Sequence, residues 1–443
     1  MSRRMIVALA GLVALVTVRA PAPRASAPDP ELAAPEAGSD FCLDDAPPGG
    51  PAAAAAPRPA TDPPAKAAPE PVNVLDDKWP PGALGGEYEP VRTIHDPFPT
   101  FDGLAVDTVN GRVVMSDENR HSLLAYDLAA AGSADKVTEP ARQVFGPSTR
   151  LGFAAGVAVD PQRKEMYTVN NDGGDALLAY PYDAHGNAAP ARVLTVPHQS
   201  WGVALSQEKD EVVLTVQQSN SIVFYPRGAK GLERPRRTIA GMKTLLHDPH
   251  GIVYDAAHNE VVVANHGNWT KVRPYTLYDP LVTNEPYEPG RFHPPALTVH
   301  AADADGDAAP LRRIVGERTK LNWPMGIAYD AAHAEIAVAN YGDSSILFFA
   351  RTATGDAAPV RVLRGALTGI LGPVGVGIDT SKDELWVANY GDHTAVVFPR
   401  TAAGNVKPAR VVRNAPPETP TCGFTNVSAA AFDSKRGAIL VPN

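Results

Sequence analysis

Cysteine is scarce: Cys42 and Cys422 are the only two in 443 residues. One disulfide or two unpaired thiols is all that such a pair allows, and neither residue has the surroundings of a nucleophile. Basic residues are not in excess. Forty Lys and Arg face 49 Asp and Glu, a formal net charge of -9. That balance argues against a nucleic-acid binder, whose affinity rests on neutralising phosphates. The densest basic run, "RGAKGLERPRR" from Arg227 to Arg237, occupies a hairpin position that recurs, and it reads as a solvated face. The G-x-S-x-G elbow, the Walker loop and the Rossmann fingerprint are all missing, so the chain carries none of those hydrolase or nucleotide signatures.

What is present starts with an export signal over residues 1–19. Ser2-Arg3-Arg4 supplies the positive start and "MIVALAGLVALVTV" (Met5 to Val18) a short apolar stretch. Fourteen residues fall short of the roughly 20 that a membrane-spanning helix needs. No membrane span is therefore expected once the signal is removed, and the expected location is periplasmic or extracellular. Residues 20–70 are rich in Ala and Pro, a composition that builds no core and reads as a semi-extended spacer.

Residues 71–443 repeat. A Gly or Ala, three mostly apolar residues and usually an Asp recur as "GLAVD" (Gly103), "GVAVD" (Gly156), "GVALS" (Gly202), "GIVYD" (Gly251), "GIAYD" (Gly326), "GVGID" (Gly375) and "AAAFD" (Ala429). A turn and a second β-rich run follow, such as "EVVVAN" or "ELWVAN", then a third such as "SILFFA". A fourth element opens with Pro-x-Arg, at Pro90, Pro140, Pro190, Pro235, Pro310, Pro359 and Pro408. Four short strands joined by polar turns, repeated about every fifty residues, are a blade of a β-propeller. The chain starts this pattern on a fourth strand ("PVRTIHD") and ends it on a first and second ("AAAFDSKRGAILVPN"). The two incomplete ends complement each other. The expectation is an all-β, seven-bladed propeller of four-stranded antiparallel blades, closed by a composite blade from both termini.

The wording "GIAYD…EIAVAN…SSILFF…GDAAPVRVLRG" resembles the bacterial NHL/YVTN-type β-propeller repeats over Pro71 to Asn443. That resemblance implies the fold. It does not imply one chemistry, because such propellers include lactonases, metal-using lyases and modules that only bind. The blade count of seven and the long "RTATGDAAPVR" hairpin depart from the shortest NHL repeats, and the G-H…W-D signature of WD40 repeats is absent.

Residues that recur serve the scaffold, so the departures carry the functional signal. Asn170, Asn265, Asn340, Asn389 and Asn443, which end second strands, read as turn residues. The Pro-x-Arg arginines, His258 and His333 also repeat and read as architecture. Strand parity places the loops before strand one and those after strand two on one rim, here the top rim, around the channel mouth. The residue preceding each repeat glycine rings that mouth: Asp102, Ala155, Trp201, His250, Met325, Val374 and Ser428. Asp102, Trp201 and His250 break its small or apolar character. Nearby loops add His198, His247, His266, Asn268 and Trp269.

One repeat is also longer. Its 26 surplus residues, Trp269 to Pro294, contain Tyr275 and Tyr278 among five aromatics and show no strand or helix period. They read as an ordered arm that roofs the mouth or offers a docking surface. The ligand-binding set expected is Asp102, His198, Trp201, His247, His250, His266, Asn268, Trp269, Tyr275 and Tyr278. The function expected is an exported binding or scaffold module that takes a small molecule or a protein at the top rim. The alternative is a lactonase-like hydrolase or lyase there, with His250 or His198 as base or metal ligand and Asp102 as its partner. No cofactor is called for, although the histidines leave room for a divalent metal despite the lack of H-x-H or H-E-x-x-H spacing.

Overall fold

The computed structural model describes residues 98, 100–132, 136–267, 269–271, 290–416, 431–433 and 438–440. The export signal, the spacer, both cysteines, Pro71 to Arg92, Asn268, Tyr275 and Tyr278 lie outside the described residues. Six four-stranded antiparallel sheets form, each from one continuous stretch of chain. Their innermost strands are Phe101–Asp107, Ala154–Asp160, Ser200–Ser206, Pro249–Asp255, Pro324–Asp330 and Pro373–Asp379, which define blades 1 to 6. Second strands such as Glu260–Asn265 are buried along their whole length. That is why they read as continuous apolar runs rather than alternating ones. Among the described residues no helix is long and apolar enough to cross a membrane.

The repeat glycine has a steric cause. A Cβ on Gly103 would sit 2.5 Å from the Ala155 carbonyl oxygen, and one on Gly156 would sit 2.3 Å from that of Trp201. The pattern continues from Gly202 to His250, Gly251 to Met325 and Gly326 to Val374. Gly375 then meets the Asp102 carbonyl oxygen at 2.6 Å. Each blade thus packs backbone against backbone on the next, and the sixth returns to the first.

This corrects the expected seven-bladed ring. Blades 6 and 1 touch directly, so no composite blade stands between them. A second contact confirms the closure. The hairpin before each outer strand reaches back to the outer strand of the preceding blade, with Gly186 on Val144, Gly231 on Leu194, Gly306 on Ile239, Gly355 on Ile314 and Gly404 on Leu363. Gly132 of blade 1 does the same to Val411 of blade 6, and Thr138 N–H donates to the Arg413 carbonyl at 2.6 Å. The long "GDAAPVR" hairpin is therefore a latch between blades. Its glycine is needed because the backbone there is left-handed (Gly355, φ 64). The would-be seventh first and second strands, Ala431–Asp433 and Ala438–Leu440, pair with each other as a separate two-stranded sheet.

In blades 2 to 6 the Pro-x-Arg arginine fastens strand four to strand two. Arg192 grips Glu165 at 2.6 and 2.7 Å, Arg237 grips Glu211 at 2.7 Å twice, and Arg312 grips Glu260 at 2.9 Å twice. On the way they cross the ring of an intervening strand, as Arg237 does over Phe224 at 4.0 Å. The recurring asparagines are structural too, and they do more than brace the turn after strand two. Asn340 Oδ1 accepts from Asn322 N–H at 2.7 Å while its amide donates to the Lys320 carbonyl at 3.0 Å, and Asn389 holds Leu371 and Gly369 likewise. Each clamps the loop that leads into its own blade's first strand.

The arm after Asn265 begins and ends on paired strands where no strand period was expected. Trp269–Lys271 pairs with Gly290–Phe292 as an antiparallel ribbon. The alternation of polar and apolar residues that marks a strand is too short in these three-residue segments to be read.

Candidate functional site

Two features aim side chains at the top rim. The first is a register shift at the repeat glycine of the inner strand, for example between Pro249 and Ile252 and between Pro324 and Ile327. Such a bulge turns a side chain out of the pleat, and bulges commonly sit beside functional sites. The residues there are Asp102, Ala155, Trp201, His250, Met325 and Val374, six of the expected mouth ring; Ser428 lies outside the described residues. The second is the residue just after each second strand: Glu118, Asn171, Gln217, His266, Tyr341 and Tyr390. The two sets mesh into a belt. Below it the channel is lined by Leu104, Val157, Val203, Ile252, Ile327 and Val376, with an empty volume of about 340 Å³ that includes its openings. A polar group entering from the top meets hydrogen-bonding partners at the belt and hydrocarbon beneath it.

Over blades 3 to 5 the belt is aromatic. Trp201 leans on His250 with ring centroids 5.2 Å apart; His250 stacks on His266 at 3.4 Å, His266 on Trp323 at 5.6 Å, and Trp323 on Tyr341 at 6.1 Å. Asp248 stands beside both histidines. Its Oδ1 is 3.7 Å from His250 Nδ1 and its Oδ2 is 3.5 Å from His266 Nδ1. Gln217 joins the group, its amide nitrogen 2.7 Å from His250 Nε2 and its oxygen accepting from Asn171 at 2.6 Å. The far nitrogen of His266 lies 2.7 Å from Met325 Sδ.

The loop "LHDPHG" is held for this purpose. Asn265 accepts from the His247 N–H at 2.9 Å and Asn220 from the Asp248 N–H at 2.7 Å, with Asp248 in a left-handed conformation (φ 54). Burial and the neighbouring His266 lower the His250 pKa to about 3, so its ring is neutral at neutral pH. Burial works against charge on Asp248 as well, but the two imidazoles and Gln217 outweigh it and hold the carboxyl at about 2, ionised.

Across the ring, blade 1 carries a different device. Asp102 and Glu118 are each 1 % exposed and lie close enough for the charge of one to act on the other. Burial raises Asp102 to about 7, and burial with the Asp102 charge raises Glu118 well above the carboxylate range. Two neighbouring buried carboxyls ionise one at a time, the second held back by the charge of the first.

Of the expected residues, the fold brings Trp201, His250 and His266 together. His247 stacks on His293 at 3.4 Å, immediately beside Asp248. His198 does not join them; it is exposed and bridges Asp175 at 2.9 Å and Asp172 at 3.4 Å. Asp102 partners Glu118 rather than a histidine, because blades 1 and 4 are opposite in a ring of six. Trp269 enters the ribbon described above. Sequence reasoning missed Asp248, Gln217, Trp323, Tyr341 and Glu118. A signal for them exists: aligned on the repeat, Asp248 and Trp323 share the position three before the glycine, and the others share the position after strand two.

No family model and no curated protein matches the sequence. Among solved structures the chain is similar to one from a crystal structure of a nidogen/laminin complex, at 14% identity and TM-score 0.41, covering 71% of this chain and 95% of that one. It is likewise similar to a chain of Kuenenia stuttgartiensis hydrazine synthase, at 14% identity and TM-score 0.47, covering 72% of this chain and 100% of that one.

Proposed function

We propose that this protein is an exported binding module that takes a small molecule at the top-rim mouth over blades 3 to 5. The observation that carries the reading is the row of rings from Trp201 through His250, His266 and Trp323 to Tyr341, flanked by Asn171 and Gln217. Repeats need no such row; blades 2 and 6 put Ala155 and Val374 at the same ring position. Stacking surface with a few placed amides suits a ligand having a planar or apolar part and hydrogen-bonding groups. Export rests on Ser2 to Val18, and the NHL/YVTN-type resemblance is compatible with a binding role. A second reading, a hydrolase or lyase at the same mouth, is favoured by the Asp248 carboxylate set beside two histidines, one of them neutral.

The test is a thermal-shift screen of small molecules on the full chain, followed by titration of each hit. Trp323→Ala should weaken binding by about 2 kcal/mol, near 30-fold, as truncated aromatic anchors do, while His333→Ala on the opposite rim should leave it unchanged. Equal affinities in folded Trp323→Ala and parent protein would place the site elsewhere.

A further inference from the structure

We propose that Asp248, His250 and His266 form a binding site for one divalent transition-metal ion at the channel mouth. The three are the cluster of metal-type ligands among the described residues whose donor atoms all lie within 4.8 Å of one another. Asp248 presents one carboxylate oxygen to His266 Nδ1 at 3.5 Å and the other to His250 Nδ1 at 3.7 Å, while the far nitrogen of His266 is turned to the Met325 sulfur. A cation between the carboxylate and the two Nδ1 atoms would be held by all three.

Geometry supports a metal ion in that role. Zinc bonds to nitrogen and carboxylate oxygen of about 2.0–2.1 Å put tetrahedral ligands about 3.3–3.4 Å apart. The Asp248 oxygens lie 3.5 and 3.7 Å from the two Nδ1 atoms, close to that spacing. The imidazoles stack at 3.4 Å in nearly parallel planes, so they must splay apart for both Nδ1 lone pairs to converge on one ion beside the carboxylate. Ligation through His250 Nδ1 moves its proton to Nε2, where the Gln217 amide at 2.7 Å accepts it once its oxygen is turned to the ring. His250 Nδ1 otherwise lies 3.1 Å from the Asp248 carbonyl oxygen. Two imidazoles and one carboxylate are a donor set for zinc and its borderline neighbours, rather than for calcium or magnesium. The Asp248 side chain is 19% exposed against 1% and 8% for the histidines. The carboxylate edge is thus the solvent side, where a fourth ligand would bind.

The inference stands apart from the small-molecule reading and would supply the second one with its Lewis acid. It is tested on the full chain after chelator treatment, with zinc chloride followed by calorimetry and elemental analysis, and with cobalt(II) followed by its visible d–d bands. One equivalent of zinc should bind, and cobalt should give the intense bands of a four-coordinate site. His266→Gln and Asp248→Asn should each weaken zinc binding by at least about 100-fold, whereas His198→Ala and His333→Ala should not. X-ray absorption on zinc-loaded parent protein, which needs no variant to fold, should show scattering from two imidazoles. An oxygen-only shell, unchanged affinity in folded His266→Gln, or no stoichiometric zinc in the parent would overturn the proposal. The last outcome would leave Asp248 and His266 a structural side-chain contact.

Discussion

Replacing Asp102 by Asn should change how stability depends on pH more than any other single substitution in the ring. Asp102 and Glu118 are buried beside each other, and burial holds Asp102 at about 7 against 3.8 for the free side chain. Glu118 is displaced the same way. Between those limits the folded protein keeps a proton that the unfolded chain releases. The raised pKa means that this stabilising contribution is complete below about pH 4 and is lost as pH rises through 7. The slope is about 1.4 kcal/mol per pH unit for each retained proton. Across three units the loss is on the order of 4 kcal/mol, large beside the 5–15 kcal/mol of a typical domain. Asn at 102 needs no such proton and removes the charge that helps to raise Glu118.

The assay is urea denaturation of parent and Asp102→Asn at several values from pH 4.5 to 7.5, comparing the two extrapolated stabilities at each pH. The parent should lose stability relative to the variant as pH rises, by at least one proton's slope. Asp117, raised by burial to about 6, is present in both proteins and largely cancels from the difference. Parallel curves would refute the retained-proton account.

Gly251→Ala, whose Cβ would stand 2.3 Å from the Met325 carbonyl oxygen, should cost about 3 kcal/mol or more in chemical denaturation. Gly306→Ala, left-handed but in open space, should cost only about 1–2 kcal/mol; similar costs for both would count against the steric ring. Arg237→Ala leaves Glu211, 3% exposed, without its bidentate partner and should cost about 3–5 kcal/mol, read as a lowered melting temperature. Ending the chain after Pro416 should leave the melting transition close to that of the parent, because blade 1 already meets blade 6. Aggregation of that shortened chain would return the terminal strands to the ring.

Blade architecture was legible because each blade is local in sequence. Its four strands, the turns between them and the Pro-x-Arg element come in order, and hydrophobic pattern with turn chemistry reports local structure well. The functional rim was legible in part for the same reason: Trp201, His250 and His266 stand out where their counterparts are Ala155, Val374 and Asn171. The number of blades was not. It depends on the angle between neighbouring sheets, which is set where Gly375 packs on Asp102 and where Gly132 latches onto Val411, contacts between residues some 270 positions apart. Partnership at the mouth was hidden likewise. Asp248 belongs with His250 and His266, and Asp102 with Glu118, because a ring of six puts blade 4 opposite blade 1. Sequence determined which side chains each blade sends to the rim, since bulge and turn positions repeat with the chain. Tertiary structure alone decided which of them meet, since ring closure fixes distances that no local pattern encodes.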